Sequence, residues 1–152
     1  MMKINLVAVG RLKDSFYRAA ADEYLKRLSR FAAVRETECP EGVDRGKATE
    51  AEAEEGEILK RLKGHVVLLD ISGEQMGSEE FSDYISMLAS GGSSEITFVI
   101  GGSRGVTDRV RAASDKRLSF GKMTFPHTLM RVMLLEQIYR AFAISAGMPY
   151  HK

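Results

Sequence analysis

Short aliphatic and β-branched runs alternate along this chain with longer amphipathic segments, and no other feature restricts the fold so much. Runs at residues 4–9, 34–38, 66–71, 96–100 and 118–120 are strand-like, the second weaker than the rest. The third is apolar except for Asp70, so it leaves no face for water and asks to be covered on both sides. The segments between them have helical spacing. Phe16, Ala19, Ala20, Tyr24, Leu25 and Leu28 make one stripe within residues 15–31. Residues 48–62 place glutamates early and Lys60, Arg61 and Lys63 late, which suits the dipole of a solvated helix. Ser78 is positioned to cap a helix that carries Phe81, Tyr84, Ile85 and Leu88 inward; a short helix follows near 106–113 and a long one over 128–146. Pro and Gly mark 40–46 as loop, and 90–94 reads as a turn. Strands alternating with helices predict an α/β fold, a mainly parallel sheet flanked by helices, in a single domain over residues 1–152.

Composition narrows the class. With 44% hydrophobic and 28% charged residues the chain is of ordinary globular type, and no apolar run approaches the roughly 20 residues of a membrane span. The N-terminal apolar stretch is short and lacks a small-residue cleavage site, so no secretory signal is expected. Cys39 is alone, an inert thiol suited to a reducing cytoplasm. Charge is unevenly divided: residues 1–35 carry +5, residues 36–100 carry −10 and residues 101–152 carry +6. Such asymmetry focuses an anionic partner on one face, nucleic acid being the commonest, unless the cations merely decorate a wet surface. The last helix is apolar almost all round, through Leu129, Met130, Val132, Met133, Leu134, Leu135, Ile138, Phe142 and Ile144. One sheet face cannot bury all of that, so the helix is either central in one subunit or covered by a second copy. In so short a chain an isologous dimer is favoured.

Residues 98–108, FVIGGSRGVTD, run a buried strand into three glycines. A phosphate-gripping loop of the G-x-x-x-x-G-K-[ST] kind is excluded, because Val106 stands five residues after Gly101 and no Lys follows. The dinucleotide fingerprint fails on glycine spacing and on its place after a late strand. What remains is a side-chain-free loop whose backbone can approach a flat polar heterocycle such as a phosphate-free adenosyl group, or a plain tight turn.

Two further stretches weigh on that choice: SFGKMTFPHTLMRVMLLEQIYRAF at 119–142, and the closing MPYHK with Tyr150 and His151. Together with LVAVGRLKD, VVLLDISG and VIGGSRG they resemble the RlmH family over essentially the whole chain. Its members are SPOUT-class methyltransferases acting on N3 of a pseudouridine in bacterial 23S rRNA. The resemblance implies a C-terminal trefoil knot, a homodimer whose interface shapes the active site, and S-adenosylmethionine held by the knot loops, with no metal required. By position the cofactor contacts would be Leu69, Gly101, Phe120, Gly121, Lys122, Met123, Thr124 and Phe125. Gly121 departs from relatives that carry Ser there. His151 would accept a proton or hold the base edge, Tyr150 would stack or hydrogen-bond, and Arg140 would steady an anion; otherwise the tail is disordered and Arg140 merely pairs with Glu136. His127 reads as a partner for loop backbone and His65 as non-catalytic. Arg104, Arg109, Arg111, Lys116, Arg117 and Lys122 are expected to meet RNA phosphates, with Lys13, Lys26, Arg27 and Arg30 as a second patch. The ribosome is the implied partner and the cytoplasm the implied compartment, with no membrane. A catalytically silent ribosome-binding factor and a domain for another adenosine ligand stay open as alternatives.

Overall fold

The computed structural model describes residues 1–43 and 49–152. Along the chain run β1 (Met2–Val9), α1 (Ser15–Leu28), β2 (Ala32–Cys39), α2 (Glu50–Leu59), β3 (His65–Gln75), α3 (Ser78–Ser90), β4 (Glu95–Ile100), α4 (Asp108–Ala112), β5 (Lys116–Ser119) and α5 (His127–Ser145). The five strands form one sheet in the order β2-β1-β4-β3-β5, with every pairing parallel. The expected class is therefore the observed one. Alternation within β1 and β4 splits the core in two: Ile4, Leu6, Ile96 and Phe98 meet Leu134 and Ile138 of α5, while Val7, Val9 and Val99 meet Ile58 of α2 and Val110 of α4. Among the described residues no helix is long and apolar enough to cross a membrane.

Several boundaries and faces differ from expectation. In α1 the buried stripe runs through Tyr17, Ala21, Tyr24 and Leu28, leaving Phe16 and Ala19 exposed, because alanines spaced along a helix do not tell one face from its neighbour. Ser78 is not the cap. Gly77 holds that position, its N–H donating to Glu80 at 3.3 Å, and the Ser78 hydroxyl instead donates to Gln137 of α5 at 2.7 Å. The expected loop at 40–46 and helix start at Ala48 fall partly outside the described residues; within them, Thr49 and Glu52 form a reciprocal cap on α2. Burial on both faces holds in β3 only for Val66, Val67 and Leu68. Beyond Leu69 the ladder breaks: Leu118 pairs first with Leu69 and then with Glu74, so residues 70–73 bulge out of the sheet.

Candidate active site

All five strands point the same way, so the loops after β3, β4 and β5 gather at one edge of the sheet, where open α/β sheets place their ligands. They surround a cleft of about 640 Å³. Leu69 and the β3 bulge form one wall, the glycine loop from Gly101 a second, and residues 119–126 a third, with Pro126, His127 and Met130 of α5 beneath. Seven of the eight expected cofactor positions line this cleft: Leu69, Gly101, Phe120, Gly121, Met123, Thr124 and Phe125. Lys122 does not; it is exposed and stands outside the wall.

The loop between β5 and α5 is fixed at one end and unspent in the middle. Ser119 Oγ donates to the Ile71 carbonyl at 3.0 Å, and accepts from the Gly121 amide at 3.1 Å. Gly121 has φ +128, a region that side-chain-bearing residues rarely adopt. Among the described residues, the amides of Lys122 through Phe125 donate to no protein acceptor. Free main-chain N–H groups beside the rings of Phe120 and Phe125 suit a planar heterocycle with polar edges, and the volume suits a nucleoside-sized ligand. S-adenosylmethionine fits that description.

Charges around the cleft are neutralised more than the sequence suggests. Asp70, only 8% exposed, accepts from the Ser72 amide and hydroxyl at 3.0 and 2.8 Å and faces Arg111 at 3.3 Å and Arg117 at 3.7 Å. Burial alone would raise the Asp70 carboxyl, but the Ser72 bonds and the Arg111 guanidinium hold it below the usual aspartate value. Lys116 pairs with Glu74, and Arg109 with Glu55 at 3.5 Å. Four of the six cations expected to contact phosphate thus have carboxylate partners, and Arg104 and Lys122 are the two with no ion pair among the described residues. In the second patch Arg27 pairs with Glu23 at 3.0 Å.

Behind the glycine loop sits a group that the acidic composition of α2 concealed. Glu54 is 3% exposed; its Oε2 accepts from the Gly42 amide at 2.8 Å, its Oε1 has no partner among the described residues, and burial pushes its carboxyl up. Both oxygens lie 2.9 Å from where a Cβ on Gly102 would stand, so a side chain there would push the Glu54 carboxylate aside. Arg131 is the other hidden charge. It is 1% exposed in the middle of the apolar α5, donating to Glu38 at 2.7 Å and to the Gly10 carbonyl at 2.9 Å, with Glu36 at 3.4 Å. His127 lines the cleft and has no hydrogen-bond partner among the described residues, so the backbone contact expected of it is not found. His65, at the opposite end of β3, bonds the Tyr84 hydroxyl far from the cleft. Cys39 is buried and its thiol pushed up by burial, as an inert thiol should be.

The tail is folded onto α5. Arg140 donates to Glu136 Oε1 at 2.8 Å and meets His151 Nδ1 at 3.0 Å, while the Tyr150 hydroxyl donates to Glu136 at 3.1 Å. The Arg140 guanidinium carbon lies 4.7 Å from the centroid of the Tyr150 ring, which packs edge-on against Tyr139. The structure therefore brings Arg140, Tyr150 and His151 together, and the pairing of Arg140 with Glu136 is part of that cluster. Guanidinium can only donate, so in this contact Nδ1 of His151 accepts, and Nε2, which faces Glu79 at 3.5 Å, is the ring nitrogen left to donate. The trio does not line the cleft of its own chain: Arg140 is thirteen residues beyond His127, about 20 Å along the helix.

Burial, together with the charge and hydrogen bond of Glu136, pushes the Tyr150 phenol up to about 12. A folded pKa above the ordinary value of 10 stabilises docking fully below pH 10, and that contribution fades as pH rises through about 12. Ultraviolet titration of tyrosinate should show a component near pH 12 that Tyr150→Phe removes; a Tyr150 titrating near 10 would mean an undocked tail.

Comparison with known proteins gives the same direction. The family model described as "Predicted SPOUT methyltransferase" matches residues 2–151. A "Ribosomal RNA large subunit methyltransferase H" from Desulfitobacterium hafniense is 47% identical over 162 residues, covering 100% of both chains. One of the same name from Lactobacillus acidophilus is 49% identical over 159 residues, covering 99% of this chain and 100% of the relative. Among solved structures, a "probable methylase family protein" from Haemophilus influenzae Rd KW20 superposes with TM-score 0.55 at 12% identity, over 99% of this chain and 70% of that one, a likeness of fold alone. A family match from the second residue to the last but one, and full-length relatives at 47–49% identity, place this chain, with its cleft at the edge of a parallel sheet, in the SPOUT methyltransferase family.

Proposed function

We propose that the protein transfers a methyl group from S-adenosylmethionine to N3 of a pseudouridine in bacterial 23S rRNA, working in the cytoplasm as a homodimer. The observation that carries this reading is the convergence of Gly101 with Phe120, Gly121, Met123, Thr124 and Phe125 on one cleft, beside amides at Lys122 to Phe125 that meet no acceptor among the described residues. The names of the full-length relatives supply the substrate class. In this reading the walls belong to a C-terminal trefoil knot, and Leu69, Phe120, Met123 and Phe125 hold the adenosyl group while main-chain N–H groups read its edges.

S-adenosylmethionine supplies an electrophilic methyl carbon on a sulfonium, and the chain's own task is to present a nucleophilic nitrogen to it. N3 of a pseudouridine carries a proton and turns nucleophilic only as that proton leaves to water. A cation and a hydrogen-bond donor beside the imide favour its anion. Arg140 supplies the charge and His151 Nε2–H the donor; because Nδ1 is engaged by Arg140, His151 is better suited to holding the base edge than to removing a proton. Tyr150 packs on Arg140 and orients it.

Since the trio lies away from its own cleft, a second subunit would bring it to the reacting nitrogen. From His127 to Ile144 no residue of α5 is fully exposed, yet Leu129, Met130, Val132 and Met133 are only half-buried, an apolar face of the kind a twin helix covers. The test is transfer of labelled methyl from S-adenosylmethionine to ribosomes, followed by mapping of the modified base. Label on N3 of one pseudouridine is expected; label elsewhere, or none, rejects the reading.

A further inference from the structure

Phe16 is the one aromatic side chain among the described residues that the fold leaves exposed, at 64%. Packing does not explain it, since the stripe that anchors α1 runs through Tyr17, Ala21 and Leu28. The ring is nonetheless held: Tyr17 lies 4.4 Å away, centroid to centroid, tilted by 51°, and itself packs on the core. The loop before it is equally fixed. Gly10 N–H donates to the Cys39 carbonyl at 2.8 Å, Leu12 is buried, and its N–H donates to Glu38 at 3.2 Å. Arg11 and Lys13, on either side of Leu12, are exposed and have no ion pair among the described residues, and Asp14 is the single acid in this loop.

This loop leaves the sheet beside the candidate active site. Ala8 pairs with Ile100, which brings Gly10 level with Gly102, and Val9 Cγ1 lies 3.2 Å from where a Cβ on Gly102 would stand. Arg104 and Lys122, which like Arg11 and Lys13 are exposed and have no ion pair among the described residues, sit in loops that leave the sheet at the same end. A ring with an open face among cations matches an unpaired nucleotide: the base stacks and the adjoining phosphates meet the cations. Duplex RNA offers no such face. N3 of a pseudouridine lies on its pairing edge, so the substrate strand is unpaired at the target and its neighbouring base has lost a stacking partner.

We propose that Phe16, backed by Tyr17 and flanked by Arg11 and Lys13, is a stacking platform for an unpaired base of the RNA strand next to the nucleotide that is methylated. This rests on the reading of the protein as an RNA methyltransferase.

The chain contains no Trp, so Phe16→Trp creates a single indole reporter at an exposed position. Its emission should be quenched by a short unpaired oligoribonucleotide at low salt and left unchanged by an RNA duplex of equal length. With ribosomes, Phe16→Ala and Phe16→Leu should raise KM about 5- to 100-fold with kcat and S-adenosylmethionine affinity unchanged, while Phe16→Trp and Phe16→Tyr keep wild-type KM. Leucine that performs as well as phenylalanine, or indole emission indifferent to unpaired RNA, overturns the platform. Indole emission that responds only to protein concentration does so too, since a second copy would then cover Phe16. If the wild type methylates no ribosome yet the indole is still quenched by unpaired RNA, the proposed reaction fails and the platform stands.

Discussion

Replacing Arg131 with alanine is expected to lower the unfolding free energy by about 2–4 kcal/mol, read by urea denaturation. That is somewhat under the ~3–5 kcal/mol lost from a fully dry pair, because Glu38 keeps 32% of its exposure. For a chain of this size the melting temperature should fall by about 4–16 °C. The cause is geometric. The guanidinium ties the second turn of α5 to the Gly10 carbonyl, just past the end of β1, and to Glu36 and Glu38 on β2; its removal leaves Glu38 without its cation, while Glu36 keeps Arg18 at 2.9 Å. Arg131→Lys should recover little, because an ammonium cannot reproduce the fork that serves Glu38 and Gly10 together. Burial opposes ionisation of Glu38, yet the bond and charge of Arg131 hold its carboxyl below the ordinary value. Its contribution is therefore present above the unfolded carboxyl pKa and lost as pH falls through the lower folded one. Arg131→Ala should flatten that acid dependence, and an unaltered acid limb would show that Arg131 does not hold Glu38. Because α5 begins at the cleft, the same variant should weaken S-adenosylmethionine binding.

Single-turnover methylation should drop about 10²- to 10³-fold in Arg140→Ala and in His151→Ala, with S-adenosylmethionine affinity unchanged by calorimetry. The trio is remote from the cleft of its own chain, so binding and chemistry should separate cleanly. Mixing supplies the sharper test. His151→Ala has an intact cleft; Gly101→Val has an intact tail, but a Cβ at 101 would meet Val106 Cγ1 at 2.6 Å and displace the glycine loop. Subunits exchanged between these two inactive variants should form mixed dimers with one complete site and restore turnover that neither has alone. No recovery from verified mixed dimers would place cleft and tail in a single subunit and remove the reason for the dimer.

The strands and the glycine loop are legible in the sequence because each is a local pattern. A buried parallel strand is a continuous apolar run, and a loop free of side chains announces itself by its glycines, as at Gly101, whereas the wall around Gly121 is given only by the family resemblance. Even Asp70 was visible as the one charge in such a run, although its partners were not: Arg111 is 41 residues away, and only folding brings it to 3.3 Å. A cation count likewise does not show the carboxylates that folding brings to Arg109, Arg111, Lys116 and Arg117. Phe16 was misplaced into the core stripe because the neighbouring alanines fit either face of α1.

Composition and periodicity by themselves determined the parallel α/β class and the side-chain-free loop at Gly101, since both follow from which residues can be dry and where side chains are absent; the family resemblance added the adenosyl donor and the loop around Gly121. Tertiary structure alone decided that Arg131 is buried, that one oxygen of Glu54 has no partner among the described residues, that the tail folds back on Glu136, and that Arg140, Tyr150 and His151 stand away from the cleft of their own chain. Those are matters of distance between residues far apart in sequence. Charge pairing and burial depend on that distance, and no local pattern encodes it.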